Sequence, residues 1–269
     1  MDMPSFSDGW IAKLKKRLGV KSRKMYGKSC SAPKDTKEIN LRVEEIKKKL
    51  RMYKRKDIFN FDKTGLFYKQ PPVSTILTAA ISGRKTNKVQ LTVTLICNSN
   101  GFWKLKPFII DKYAKPCCFG KKNGKLLHYL YYYHNDKSWM TGAIFRYICK
   151  IINRRARNLG RKILVLLDNA ACHNTYDNYT NVEFLYLPPN TTSYLQPLDA
   201  SIIQNFKVKY QYYQYILATQ RYISNMVINS DGYFKLSQLE GMNFIKLAWN
   251  QVTPETITNC FKHTRLFDD

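Results

Sequence analysis

The sequence predicts an α/β protein: a mixed β-sheet with helices packed against it. Three observations carry this. A meander of short segments rich in β-branched and aromatic residues opens the main domain. The turns between those segments are only a few residues long, which makes neighbouring strands antiparallel. From residue 137 onward the hydrophobic period alternates between helix-like and strand-like, the pattern of helices laid on a sheet.

In chain order, Trp10, Ile11, Leu14 and Leu18 fall at helical spacing over residues 7–18, with Ser7 or Asp8 as N-cap and Gly19 as stop. The small, polar stretch 27–36 reads as a linker. Ile39, Val43, Ile46 and Leu50 then mark an amphipathic helix leading into the core, with Lys47–Lys49 as a solvated face. The main domain begins at Asp57, with a first strand over Ile58–Asp62 stopped by a turn at Lys63-Thr64-Gly65. Further strands are predicted over Ile76–Ser82, Val89–Cys97 and Trp103–Ile110. Lys137 to Arg157 carries the stripe Ile144, Phe145, Ile148, Ile151 and Ile152, and predicts a helix. Ile163–Leu167 and Val182–Leu187 are compact apolar strands, the second stopped by Pro188-Pro189. Ile202, Phe206, Tyr210, Tyr213 and Leu217 form another helical stripe. From Leu236 on, two helices are predicted, Thr253 capping the second and Pro254 filling its first position, where the missing N–H costs little.

Composition bounds the class. The 269 residues, 44% hydrophobic and 14% aromatic, suffice for one large packed domain plus something smaller. Lysine and arginine total 45 against 19 acidic residues, a formal charge of +26, which points to a polyanionic partner. Seven cysteines without a C-x-x-C pair exclude a zinc ribbon or a disulfide framework and read as buried thiols in a reduced, intracellular protein. No apolar run reaches the ~18 residues of a membrane span, and the first residues lack the charged-then-apolar order of a signal peptide.

Three aspartates carry the chemistry. Asp62 lies on its own hydrophobic strand, Asp168 closes the run Ile163–Leu167, and Asp199 follows the next strand at a helix start. Carboxylates delivered by separate elements can hold two divalent cations about 3.5 to 4 Å apart, an arrangement that activates water and stabilises the leaving oxygen of a phosphodiester. This order reproduces RNase H-like phosphoryl-transfer sites.

Four stretches give the order a family. They are Ser7-Asp8-Gly9-Trp10 with its basic helix, Phe61-Asp62-Lys63-Thr64-Gly65-Leu66, Leu167-Asp168-Asn169-Ala170-Ala171-Cys172-His173, and Leu187-Pro188-Pro189-Asn190-Thr191-Thr192 through Gln196-Pro197-Leu198-Asp199. The chain resembles the transposases of the pogo/Tigger branch of the Tc1/mariner superfamily, whose relatives include the jerky proteins and centromere protein B. The resemblance implies an RNase H-like mixed sheet flanked by helices, with a remnant of a helix-turn-helix DNA-binding domain at the N-terminus. It implies Asp62, Asp168 and Asp199 as catalytic residues and ligands of Mg²⁺ or Mn²⁺, and Asn169 and His173 as residues supporting the second carboxylate. Asn190-Thr191-Thr192 and Gln196 would shape the loop that aims Asp199. The partner is double-stranded DNA and the location the nucleus; no membrane is involved, and homodimerisation is left open.

The implied organisation is a remnant of the second helix-turn-helix unit over 1–26, a linker and connecting helix over 27–56, the catalytic domain over 57–220 and C-terminal helices over 221–269. Lys13, Lys15, Lys16, Arg17, Lys21, Arg23 and Lys24 would contact DNA phosphates. The chain departs from the family in three places. Lys63 stands where a Glu is usual, and strand alternation predicts that it points away from the face Asp62 uses. Ala171-Cys172 replaces Pro-Ser, and Ala200-Ser201 replaces Gln-Gly. Two functions follow: metal-dependent cleavage and transfer of DNA strands, or DNA binding by a catalytically inactive, domesticated descendant.

Overall fold

A computed structural model of the chain describes residues 13, 16–17, 36–71, 87–119, 129–174, 177–224 and 232–267. It divides into two compact units, Met1–Ala32 and Pro33–Asp269. Of the first, Lys13, Lys16 and Arg17 are helical and exposed. The predicted strand Ile76–Ser82 lies outside the described residues.

The second unit is built on a six-stranded sheet: β1 (Ile58–Leu66), β2 (Leu91–Asn98), β3 (Phe108–Asp111), β4 (Tyr131–His134), β5 (Ile163–Leu167) and β6 (Val182–Tyr186), in the spatial order β4-β3-β2-β1-β5-β6. β1–β2 and β2–β3 pair antiparallel, whereas β3–β4, β1–β5 and β5–β6 pair parallel. This is the RNase H-like mixed sheet that the order of the aspartates implied.

Both faces are covered, which is why all eight residues of β2 are buried. On one face, helix α2 (Gly142–Asn158) sets Phe145, Ile148, Ile151 and Ile152 against Phe59, Phe61, Val165 and Leu167. On the other lie α1 (Lys37–Leu50), α3 (Ile203–Ile223), α4 (Gln238–Gln251) and α5 (Pro254–His263), which bury Ile46, Phe206, Trp249 and Phe261 over Ile58, Leu95, Leu164 and Leu166. Each such side chain, removed from water, contributes roughly 1.5 to 3 kcal/mol. Local signals start the helices. Thr141 and Thr253 accept backbone N–H groups at the N-termini of α2 and α5, and Ser237 with Glu240 forms a capping box on α4. Gly101 turns the chain after β2 with φ +74, and a Cβ there would collide with the Pro254 backbone, so this turn seats directly on the start of α5.

Several sequence expectations are corrected. Lys63-Thr64-Gly65 is not a turn: β1 runs on to Leu66 because these residues pair with Thr94, Val93 and Thr92 of β2. The strand expected from Trp103 begins only at Phe108, after Pro107, which has no N–H to give a ladder; Lys104 makes one isolated bridge to Cys97. The helix expected from Lys137 begins at Gly142, because Asn135 Oδ1 accepts the N–H groups of Lys137 and Trp139 and holds a turn before it. Strand β4 was not foreseen. The Lys47–Lys49 face is not simply solvated, since Lys49 reaches Glu183 of β6 at 2.7 Å. Among the described cysteines, Cys97, Cys149 and Cys260 are buried thiols, but Cys117 is exposed and Cys118 and Cys172 are partly so.

Trp249 joins the two halves of this core. Its ring is buried, Nε1 donates to Leu105 O at 2.9 Å, and Lys104 Nζ caps the end of α4 through the carbonyls of Trp249 and Val252. Trp249→Ala is expected to lower stability by about 3 to 5 kcal/mol in urea denaturation followed by circular dichroism; a loss under 1 kcal/mol would mean that α4 is not part of the core.

Candidate active site

The parallel register of β1 and β5 sets the site. Asn60 lies opposite Leu166, so two residues further along both chains Asp62 comes level with Asp168, the first residue past β5. The third aspartate arrives on the irregular turn Leu198–Ile202 that leads into α3. One buried amide ties the three segments together: Asn60 Nδ2 donates to Leu166 O at 2.9 Å, and its Oδ1 accepts the Leu198 N–H at 2.8 Å. Asn60 was not among the predicted site residues. The available signal was an amide between Phe59 and Phe61 in an otherwise apolar strand, on the face that Asp62 shares.

The loop bearing Asp199 is held in sparsely populated backbone conformations. Asn190 has φ 62, which asparagine tolerates, while Ser201 has φ 146 at the position where the resembled family has glycine. Thr191 Oγ1 donates to Pro188 O at 2.6 Å, and the Gln196 carbonyl accepts the Ala200 N–H at 3.0 Å.

Electrostatically the site divides in two. Asp62 is only 5% exposed and accepts the Lys63 N–H at 2.7 Å. Burial first, and then the neighbouring Asp199, push its carboxyl well above the usual range. Asp199, the solvent-facing member, is also raised, by partial burial and by Asp168, against its hydrogen bond with Asp62 and the positive charges of Lys63 and Lys207. The two carboxyls interact and titrate as a pair.

Asp168 belongs to the other half. Burial works against its charge, but the contacts with His173 and Lys63 prevail and hold its carboxyl at about 2. His173 is fully buried, its ring edge-on to Phe61 and tilted against Phe145 with centroids 5.2 and 4.8 Å away. Its Nδ1 faces the Asp168 carbonyl at 3.3 Å with hydrogen-bond alignment and also touches Oδ1 in an ion-pair contact. Oδ1 makes no hydrogen bond, so that contact is electrostatic. Burial alone would lower the imidazolium; Asp168 and Cys172 outweigh it and raise it to about 9.

Lys63 corrects an expectation. It leaves β1 on the face of Phe61, opposite Asp62, as alternation requires. Yet Nζ stands 3.4 Å from Asp168 Oδ2 and 3.3 Å from His173 Nε2. The pairing of β1 with β5 ends at Asn60–Leu166, so past that point no strand separates the two faces and the long side chain reaches across. Asn169 is exposed and faces a groove of about 780 Å³ with Ile39, Arg42, Tyr186 and Pro188. Among the described residues no three His, Cys, Asp or Glu side chains converge as a ready metal-ligand set. The donor chemistry nevertheless suits a hard cation at Asp62 and Asp199, two oxygen donors that need a compensating charge.

Of the predicted DNA-contacting residues, Lys13, Lys16 and Arg17 are exposed on their helix. Lys15, Lys21, Arg23 and Lys24 lie outside the described residues.

The sequence model of the family described as DDE superfamily endonuclease matches residues 88–261, which include Asp168 and Asp199. The chain belongs to this DDE family. It is 28% identical to CENP-B homolog protein 2 of Schizosaccharomyces pombe, over all of this chain and 53% of that protein. It is 27% identical to Tigger transposable element-derived protein 4 of Mus musculus, over 95% of this chain and 48% of that one, and 26% identical to ARS-binding protein 1 of S. pombe, over 96% and 50%. The DDE chain thus spans about half the length of these curated relatives. A Mos1 transposase paired-end complex with the left transposon end superposes with a TM-score of 0.45 at 11% identity, covering 91% of this chain and 69% of that one.

Ser201→Gly is expected to relieve the backbone strain beside Asp199 and to raise stability by about 1 kcal/mol in urea denaturation. A decrease would show that the serine conformation is unstrained.

Proposed function

We propose that this DDE chain is a DNA-binding protein of transposase descent that cleaves and transfers DNA strands with a divalent cation, served by Asp62, Asp168 and Asp199. The observation that supports the reading is the parallel register of β1 and β5, which brings Asp62 level with Asp168, together with the turn Leu198–Ile202 that carries Asp199 and is tied to β1 through Asn60. Mg²⁺ or Mn²⁺, when bound, supplies Lewis acidity toward the scissile phosphate and toward the attacking water or hydroxyl. Asp62, Asp168 and Asp199 would supply its carboxylate ligands. His173 keeps the Asp168 carboxylate ionised and oriented, and Phe61 and Phe145 keep water from the imidazole.

DNA as partner is supported by the charge of +26 and by where part of it sits. On α2 the exposed residues Arg146, Lys150, Arg154 and Arg157 recur at intervals of four, four and three, a single helix face. This stripe starts one turn from the helix end that packs on His173. Such a row of cations suits a sugar-phosphate backbone leading from the carboxylates. A DNA partner implies the nucleus; among the described residues no helix is long and apolar enough to cross a membrane.

The test is strand cleavage of a terminal-inverted-repeat duplex with Mg²⁺ or Mn²⁺. Nicking that needs the cation and disappears in Asp168→Ala is expected. DNA bound equally by both proteins and cut by neither would leave a catalytically silent DNA-binding descendant. For the stripe, Arg146→Glu with Arg154→Glu should weaken duplex binding and flatten the dependence of log K on log salt by about 2, roughly one per phosphate contact. An unchanged slope would remove α2 from the interface.

A further inference from the structure

One large aromatic side chain stands in water beside the site. Trp139 is 63% exposed, although its neighbours Ser138 and Met140 are buried. Slackness of the chain does not account for it. Asn135 Oδ1 accepts the N–H groups of Lys137 and Trp139 at 3.2 and 3.1 Å, and its Nδ2 donates to Trp139 O at 2.5 Å. The Asn135 backbone N–H is itself fixed on Asp111 O, at the end of β3. Ser138 is held in the left-handed region with φ 54, and its carbonyl accepts the Thr92 hydroxyl at 2.6 Å. A serine there is strained, and such strain persists only where the surroundings impose it. The indole is therefore presented to solvent from a fixed backbone.

Its place in the fold is specific. Thr92 lies opposite Gly65, two residues past Lys63 on β1, so the anchor of Ser138 is on the end of the sheet that carries the aspartates. Three residues after Trp139, at most about 11 Å of extended chain, α2 begins at Gly142. A Cβ built there would lie 3.5 Å from Arg146 Nη1 and 3.9 Å from Cys172 O. The first turn of α2 thus carries the Arg146 guanidinium and abuts the segment of His173, which touches Asp168. Single exposed apolar residues are ordinary on protein surfaces. Phe102 is one, 82% exposed on the turn after β2 at the opposite end of the sheet. Trp139 differs in standing on a braced backbone between the cationic stripe of α2 and the carboxylates.

Bases within a duplex are stacked and hide their faces, so an indole fixed in this way takes only a base that has left the stack. Ring-on-ring contact tolerates any sequence, because every base has a π-face. The nucleotide brings a phosphate with it, and Arg146 places a cation nearby for that charge. We propose that Trp139 is a stacking residue for an unpaired base of the DNA strand engaged at the aspartates. This rests on the reading above that the chain binds DNA. It adds that the DNA is unpaired next to the site, as a flipped nucleotide or a frayed end.

Fluorescence anisotropy on the whole protein, with circular dichroism as a folding control, tests this with a labelled blunt duplex and the same duplex carrying a short oligothymidine tail. The native chain should bind the tailed duplex more tightly. Trp139→Ala should weaken binding of the tailed duplex roughly 5- to 150-fold, the range of base–aromatic stacking, and leave the blunt duplex unchanged. Trp139→Phe, which keeps an aromatic plane, should retain most of the preference. 2-Aminopurine at the first unpaired position should lose fluorescence on binding the native chain, as a stacked base does, which reads the contact even if the alanine variant does not fold. No preference in the native chain, no loss of 2-aminopurine fluorescence, or an alanine variant that affects both duplexes alike would overturn the stacking assignment while leaving DNA binding intact. A native chain that binds neither duplex would remove the DNA reading, and this inference with it.

Discussion

A single buried amide sets the geometry on which everything functional here depends. Asn60 cannot leave its donor and acceptor unpaired inside an apolar strand, because each would cost on the order of 1 to 3 kcal/mol. It therefore clamps the carbonyl of Leu166 on one side and the N–H of Leu198 on the other. Those two partners immediately precede Leu167-Asp168 and Asp199. The side chain that satisfies its own hydrogen bonds thus fixes how far apart three segments lie, although Asn60 is separated from both of the others by more than a hundred residues in sequence. The sheet and its two helical layers supply the burial that makes the requirement strict.

Charge placement follows from that frame. Asp62 lies on the face covered by α3, and burial together with neighbouring carboxylates raises both Asp62 and the solvent-facing Asp199 above the usual range. Asp168 turns toward the α2 face, where His173 sits among aromatic rings and Lys63 reaches around the end of the β1–β5 ladder. One half of the site is charge-balanced by the protein itself and the other is not. That asymmetry is what relates a DDE fold with a conventional topology to an unusual first motif, Asp62-Lys63.

Much of this was legible in the sequence, for physical reasons that differ by element. β5 was read to the residue because a strand buried on both faces is a continuous apolar run with no competing period. The caps at Thr253 and Pro254 were legible because their chemistry is local. Reading failed where long-range pairing decides. Lys63-Thr64-Gly65 looks like a turn by composition, yet a ladder to β2 makes it strand. The run Tyr131–His134 is aromatic on both faces and shows no alternation, so β4 emerged only from its parallel neighbour β3. Strand alternation correctly put Lys63 on the face opposite Asp62, but could not show that the β1–β5 pairing ends too early to keep the faces apart. Ser201 is the converse case. Its replacement of a family glycine was visible in the sequence, while the positive φ that gives the replacement its meaning was not.

That the aspartates at this end of the sheet hold a divalent cation is the central claim, and anomalous diffraction from crystals of the protein soaked in Mn²⁺ tests it most directly. A manganese peak at the aspartate carboxylates beyond the end of the β1–β5 ladder is the predicted result. No manganese peak at these carboxylates would contradict it.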